Sequence, residues 1–503
     1  MVVVGGGIAG LAAAFFLRDE PVRVTVLEGS PRLGGKLSAS EVAGVSMDAG
    51  AEALLARRPE GIALITAAGL GGDLVPAGVT SSAIYTRGVF RALPRRQFMG
   101  VPADLDELAA TEVISAEGIA RARGESPRPA EAADAADVSV AEYVGARLGV
   151  EVVDRLVDPL LGGVYAGRSE DLSFQATLAP LAAVTRKYPT LTEAAASLLP
   201  PPPAAHKRTS LKDAPAGDNS NKPVPIFVTL TTGLGALPDA VAKASGADVR
   251  VGAMARELKR TETGWRLTIG SAAAPEYLDA DAVIIATPAG PAARLLKETA
   301  GEAAAQLEQI PYASMALITL AFRAEDLPPQ QRSGYLVPAV DGGAVKAATF
   351  STIKWPHLAQ LSPGGATPRT PRGMADEEAR ISAMRMSPVH IIRCSIGRSG
   401  DVAVLQRDDS ELAALAAADL AESIGITARS VAQRVTRWGG GLPQYNVGHL
   451  DRVARIRRAV GEHPGLAVAG AAYDGVGIPA CIATARSAAD QVIAHLATTR
   501  PGT

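Results

Sequence analysis

The pattern of apolar positions changes character twice within the first thirty residues. Val2 to Val4 is a short β-branched run ending in glycines, Leu11 to Leu17 is unbroken apolar sequence of helical length, and Val22 to Leu27 runs into an acid, Glu28. That succession predicts strand, helix, strand. Met47 to Pro59 then reads as a strand-to-helix junction with Gly50 as its hinge. From about Tyr85 to Thr192 the chain reads as helices and loops, including apolar Ala141 to Val153 and the segment Asp158 to Arg168. Phe227 to Leu230 predicts a strand entering a helix at Gly233 to Pro238, and Ala282 to Ile285 a buried strand ending in a turn at Thr287-Pro288. Pro311 to Phe350 alternates and is rich in β-branched residues, which predicts sheet, with Ala316 to Phe322, Gly334 to Pro338 and later His390 to Ile396 as strands.

Near the carboxy-terminal end, Leu466 to Gly470 reads as a strand and Ala471 to Gly477 as a glycine-bearing loop. Pro479 opens a helix whose apolar face carries Ile482, Ala485, Ala489, Val492 and Leu496. Two stretches interrupt the pattern. Leu199 to Pro225, a Pro run succeeded by polar residues, predicts a mobile loop, and Leu361 to Met386, rich in Pro, Gly, Arg and Ser, an exposed insertion. No repeat of fixed period emerges.

The first strand-helix-strand carries specific chemistry. Gly5-x-Gly7-x-x-Gly10 comes straight after the strand, and Glu28 ends the second strand, the arrangement of a dinucleotide-binding βαβ unit. Gly5 would permit the tight turn, Gly7 would let a diphosphate approach the backbone, and Gly10 would let the helix pack on its strand. This fingerprint serves NAD and FAD alike, so the residues after the acid carry the distinction: Glu28-Gly-Ser-Pro-Arg32-Leu-Gly34-Gly35-Lys36. Gly34 and Gly35 would allow close backbone approach, and Arg32 and Lys36 could offset diphosphate charge. The helix N-terminus near Gly477 and Ile478 would stabilise negative charge on a bound cofactor.

Composition narrows the classes. A chain of 503 residues with 47% hydrophobic content can bury more than one core, which predicts two or three domains. Fifty Lys plus Arg against 52 Asp plus Glu leave a net charge of -2, which disfavours nucleic-acid binding. Cys394 and Cys481, far apart, suit a reducing compartment, and the six His show no metal-ligand spacing, so no metal is expected. The opening residues lack a basic n-region and no uncharged run is long enough to span a bilayer, so a cytoplasmic protein is expected, with peripheral membrane contact left open.

The Glu28 to Lys36 string resembles the extended cofactor motif of the amine-oxidase and porphyrinogen-oxidase flavoproteins. Four further strings are similar to the porphyrinogen oxidase family: Gly163 to Gly167, Thr349 to His357, Trp438 to Tyr445 and Gly470 to Pro479. The usual second Gly pair is Thr231-Thr232 here, and the two insertions exceed the family's ordinary loops. The resemblance implies an α/β fold, with a Rossmann-like FAD-binding domain in three parts (1–80, 223–305 and 436–503), a helical cap region (81–222) and a substrate-binding sheet region (306–435). Cap and sheet would form a discontinuous α+β substrate domain.

It implies FAD held by Gly5, Gly6, Gly7, Ile8, Ala9 and Gly10; by Glu28, Gly29, Arg32, Gly35 and Lys36; by Gly50, Ala51, Glu52 and Ala53; and by Ala255, Trp438, Val476, Gly477 and Ile478. The activity implied is oxygen-dependent, six-electron oxidation of a porphyrinogen in haem biosynthesis, with hydrogen peroxide released. Arg- and Ala-rich composition directs the expectation to coproporphyrinogen III of the actinobacterial type, with protoporphyrinogen IX as the alternative. No catalytic acid or base is named. Candidates for the substrate propionates are Arg87, Arg91, Arg95, Arg96, Lys346 and Lys354, while His357 reads as structural. More distant alternatives are an amine or amino-acid oxidase, for which 4% aromatics is a poor supply of cage residues, and a non-catalytic binding protein on the same fold. Direct delivery of product to a haem-pathway enzyme is also left open.

Overall fold

The computed structural model describes residues 1–126, 136–200, 225–360 and 388–499. The expected insertion Leu361 to Met386, and all but the ends of the expected loop Leu199 to Pro225, lie outside the described residues.

Five short strands, Val2–Val4, Thr25–Leu27, Asp248–Arg250, Val283–Ile285 and Leu466–Val468, form one parallel sheet. Numbered in chain order they lie 3-2-1-4-5, so the direction of winding reverses between Val2–Val4 and Val283–Ile285. Ligands of doubly wound sheets sit beyond the carboxyl ends of the strands at such a reversal. The glycine loop after the first strand and the loop after the fifth both leave from that edge.

Alternation splits the strand side chains between two cores. Val3, Val26, Ile284 and Ala467 face helices Ile8–Phe16, Leu237–Ser245 and Ile478–Thr499. Val2, Val4, Leu27, Val283, Ile285 and Leu466 face the other way, onto a three-stranded antiparallel sheet (Ala255–Arg260, Trp265–Ser271, Ala274–Ala280) and helices Ala289–Leu296, Gly301–Glu308 and His449–Gly461. Burial on both faces is why these strands are almost wholly apolar.

A second, seven-stranded mixed sheet has the order Ala432–Pro443, Tyr312–Arg323, Val389–Ile396, Val345–Phe350, Gly334–Leu336, Ser82–Thr86, Val89–Ala92. Helix Asp409–Ile424 covers part of it through Leu412, Ala416 and Leu420. Between residues 105 and 197 a run of helices builds its own core around Val144, Leu156, Leu161 and Phe174, which takes in Tyr445 from beyond the second sheet. No helix of the described residues is long and apolar enough to cross a membrane.

Several elements differ from the expectation. The first helix begins at Ile8 rather than Leu11, because Gly7 is already its extended N-cap residue, and it ends at Phe16. The second strand is only Thr25–Leu27; Val22 precedes it. Tyr85 lies in a strand, not a helix: Ser82–Thr86 and Val89–Ala92 form a hairpin whose turn, Arg87-Gly88, has positive φ at both residues. Such turns match the right-handed twist of paired strands. Phe227–Leu230 is a strand, but it pairs antiparallel with Leu54–Leu55 and Leu74–Pro76 rather than joining the parallel sheet. The antiparallel sheet 255–280 was not anticipated. Strand Ala432–Pro443 runs across the expected 435/436 boundary, so Trp438 belongs to the seven-stranded sheet.

Candidate active site

The first glycine loop is shaped by two opposite demands. A Cβ at Gly10 would overlap the Gly5 carbonyl oxygen, so only glycine lets the helix start so close to the strand that feeds it. At Gly7 a Cβ would meet nothing within 4 Å, and the backbone there is extended, with φ -76° and ψ 177°. Gly7 therefore faces open space, with the first N–H groups of helix Ile8–Phe16, among them those of Ile8, Ala9 and Gly10, at its side. The helix has no side-chain cap and no acid in its first turn, which leaves its positive end open to an anion.

Glu28 is fixed from both oxygens. Its Oε2 accepts from the Gly6 amide at 2.8 Å and its Oε1 from the Ser30 amide at 2.7 Å. Gly6 is thus committed to Glu28, whereas Gly7 is not. Gly29 packs against Met254, and the Ala253 amide donates to the Glu28 carbonyl at 2.8 Å, which brings Ala255 to the same end of the site. Gly34 bridges to Gly7, and the Gly35 Cβ position lies 3.7 Å from the Gly7 Cα, so the second glycine turn lies alongside the first. Arg32 differs from its expected role as a charge partner. Its guanidinium donates to the carbonyls of Leu33 (3.0 Å) and Gly35 (2.8 Å) and so closes the turn itself. Lys36 has no carboxylate partner among the described residues; burial pushes its pKa down, and its electrostatic neighbour is Cys481.

Segment 49–53 forms the next wall. A Cβ at Gly50 would overlap the Lys36 carbonyl oxygen and would lie 3.2 Å from the Trp438 ring. Trp438 donates its indole N–H to the Ala49 carbonyl at 3.0 Å, and the Ala51 amide donates to the Lys36 carbonyl at 3.3 Å. Behind them, Glu52 is gripped by Lys354 (2.8 Å) and Arg393, and Arg393 also donates to the Gly50 carbonyl at 2.8 Å. Burial would raise the Glu52 pKa, but the two cations more than offset it and bring it to about 2. Ala53 packs against the neighbouring apolar cluster around Val42, Met47 and Trp355. Asp48 accepts from the amides of Leu234 (2.9 Å) and Gly235 (2.8 Å), and burial pushes its pKa up to about 6.

The far wall comes from the other end of the chain. The helix starts at Ile478, one residue before the expected Pro479, with Gly477 exposed ahead of it and Val476 packed on the helical region. Gly470 lies against Ala9, so the last loop meets the first helix. Tyr445 fastens that loop. Its hydroxyl donates to the Ala471 carbonyl at 2.6 Å and accepts from the Gly475 amide at 2.7 Å, while its ring stacks on His449 at 3.9 Å. Gln444 donates to the Tyr165 carbonyl at 2.8 Å, tying strand Ala432–Pro443 to helix Asp158–Tyr165.

Direct contacts thus link Gly7 with Gly34 and Gly35, Gly50 with Lys36 and Trp438, Glu28 with the segment before Ala255, and the last loop with Ala9, so these segments border one region. Sequence reasoning missed Asp48 and Arg393, which support it, and gave Tyr445 no role. Most of the candidate cations for the propionates have protein partners. Arg87 pairs with Glu151, Arg91 with Glu112, Arg96 donates to the Pro200 carbonyl at 3.2 Å, and Lys354 is held by Glu52. Arg95 is exposed and Lys346 is buried elsewhere. His357 is half-buried beside Trp355, and both cysteines are buried and free.

Comparison with known proteins matches this arrangement. Residues 8–493 fit the family model described as flavin-containing amine oxidoreductase, and the chain belongs to that family. Within it, the chain falls among the porphyrinogen oxidases. It is 34% identical to the coproporphyrinogen III oxidase of Mycobacterium tuberculosis (strain ATCC 25618 / H37Rv) over 498 residues, 98% of this chain and 97% of the relative. It is 28% identical to that of Bacillus subtilis (strain 168) over 505 residues, 99% of this chain and 98% of the relative. The crystal structure of an Exiguobacterium sp. 255-15 protein assigned as a protoporphyrinogen oxidase superposes with a TM-score of 0.78 at 28% identity, covering 99% of this chain and 98% of that one. Cyclohexylamine oxidase from Brevibacterium oxydans IH-35A shares the fold, with a TM-score of 0.65 at 16% identity, covering 99% of each chain. The protein is a FAD-dependent oxidoreductase with an α/β flavin-oxidase fold.

Proposed function

We propose that this protein binds FAD along the bordered region and oxidises coproporphyrinogen III to coproporphyrin III, with three molecules of oxygen reduced to hydrogen peroxide per macrocycle. The observation that carries the reading is the convergence of both chain ends at one winding reversal, with open space at Gly7 and two unacidified helix N-termini beside it. Those residues fit a dinucleotide. The Ile8–Phe16 N-terminus would receive the diphosphate, Glu28 would take a ribose hydroxyl, and Ala255 would lie near the adenosine end. Trp438 and Gly50 would flank the ring system, and the Gly477–Ile478 amides would face its electron-rich edge.

FAD bound there supplies a two-electron acceptor that oxygen regenerates. The chain's own part is placement and exclusion. Tyr445 ties down the last loop at Ala471 and Gly475, Arg393 and Glu52 lock segment 49–52, and Trp438, held to the Ala49 carbonyl, would help to keep water from one side. No side chain in the bordered region is assigned as acid or base, because the pyrrole nitrogens of a porphyrinogen can supply the electronic push. The three-part FAD domain, with a substrate domain made from the seven-stranded sheet and the 105–197 helices, accompanies this reading.

Coproporphyrinogen III is preferred because it is named in the Mycobacterium and Bacillus relatives that match over nearly their whole length. Protoporphyrinogen IX is the second reading, favoured by the assignment of the Exiguobacterium structure. Initial rates of porphyrin fluorescence under air, with each porphyrinogen supplied separately, decide between them. A higher kcat/KM for coproporphyrinogen III is expected; an equal or higher value for protoporphyrinogen IX overturns the substrate assignment.

A further inference from the structure

A cavity of about 170 Å³ lies away from the glycine loops, at one end of the seven-stranded sheet. It is lined by Gly342 and Gly343, by Lys346 on strand Val345–Phe350, by Arg398 and Asp401, and by Arg168 from beyond helix Asp158–Tyr165. Lys346 is there because of a register shift between Val345 and Ala347. In a regular strand successive side chains take opposite faces, but here both Val345 and Lys346 are buried.

The cavity's charges are unequally matched. Arg398 faces Asp158 at 3.4 Å and donates to the Val337 carbonyl at 2.9 Å. Arg168 pairs with Asp401 at 2.6 Å and donates to the Ser399 carbonyl at 2.9 Å. Lys346 has one bond, to the Gly397 carbonyl at 2.5 Å, and no carboxylate within ion-pair distance among the described residues. An ammonium has three donors, so a buried one with a single acceptor is under-supplied. Glu170, the remaining acid near Arg398, is exposed. Burial and the charge of Arg398 push the Lys346 pKa down to about 7, with Asp401 acting in the opposite direction; an anion in the cavity would raise it again. Adjoining the lining residues in the chain, Val340 and Val402 are 54% and 62% exposed, which puts large apolar side chains at the margin of a basic cavity.

We propose that this cavity binds an oxyanion, a carboxylate or phosphate group, through Lys346, with Arg168 and Arg398 beside it and the two exposed valines suited to an apolar body carrying it. The site does not depend on the oxidation of a porphyrinogen at the flavin. Its occupant is either a tetrapyrrole propionate or a free small anion, and protection experiments separate the two.

The test uses the FAD-loaded wild-type protein. Acylation of Lys346 is monitored by peptide mass spectrometry with and without inorganic phosphate, with exposed Lys187 as the internal control. Phosphate at about ten times its Kd is expected to slow Lys346 about tenfold and leave Lys187 unchanged. Protection by coproporphyrin III but not by its tetramethyl ester assigns the site to a propionate; protection by phosphate with no effect of either porphyrin assigns it to a free anion. An unchanged Lys346 rate with both phosphate and coproporphyrin III overturns the proposal. If Lys346 resists acylation throughout, calorimetric phosphate affinity decides: a loss of about tenfold or more in Lys346→Met supports the site, and an unchanged or absent wild-type signal refutes it.

Discussion

Gly7→Val folds as well as the wild type and loses its flavin. The expectation rests on two neighbouring glycines with opposite surroundings. A Cβ at Gly7 meets no other protein atom within 4 Å and sits on extended backbone that any residue adopts, so the apoprotein is expected to tolerate a side chain there. The same side chain occupies the space through which a diphosphate would reach the helix N-terminus, and a branched one cannot retreat from it. FAD affinity should fall by about two orders of magnitude or more, roughly 3 kcal/mol, with the flavin-free Tm unchanged. Flavin absorbance per protein after gel filtration, beside a thermal melt of the apoprotein, measures both. Gly10→Val is the contrast: its Cβ would overlap the Gly5 carbonyl oxygen, so it should fail as a fold rather than as a binder. Full flavin occupancy in Gly7→Val would mean that the diphosphate lies elsewhere.

Glu52→Gln should be among the most destabilising single polar changes. Lys354 and Arg393 both lean on this carboxylate, and removing its charge leaves two largely buried cations without compensation, at a cost of about 3 kcal/mol. The pH dependence has a definite sign. The carboxylate titrates at about 2 in the folded protein against an ordinary 4.5, so its stabilisation is complete above pH 4.5 and is lost as pH falls toward 2. The stability gap between wild type and Glu52→Gln should therefore be widest at neutral pH and close through the acid range. Asp48 works in the opposite direction. Its folded-state pKa of about 6 lies above the ordinary 3.8, so it removes stability as pH rises from about 4 to 6. Chemical denaturation of both proteins across pH reads these effects. A gap that stays constant down to pH 2 would mean that Glu52 stabilises by packing and not by charge.

The features legible in the residues were the local ones. The Gly5 to Gly10 turn, Glu28 at a strand end and the Leu466–Ile478 strand-loop-helix are each written within a few residues, and each stands within three residues of where its local pattern put it. The hairpin at Arg87-Gly88 was hidden because its turn places an arginine at positive φ, where asparagine or aspartate would have announced it. The antiparallel sheet 255–280 was hidden because two of its strands bury few side chains: Ala255–Arg260 buries only Leu258 and Ala274–Ala280 none. Partners distant in sequence left no trace. Arg393 meets Glu52 across 341 positions, and Lys354 meets it across 302, so a lysine that looked free to bind a carboxylate already had one. Arg32 misled for the opposite reason: its acceptors are the carbonyls of its own turn.

The most direct test of the central claim is anaerobic. Purified protein is mixed with coproporphyrinogen III in the absence of oxygen, and the flavin absorbance is recorded before and after air is admitted. Bleaching of the flavin band by the porphyrinogen, then on aeration its return together with coproporphyrin fluorescence and hydrogen peroxide, is the predicted result. A flavin band that stays oxidised with the porphyrinogen present would contradict the account.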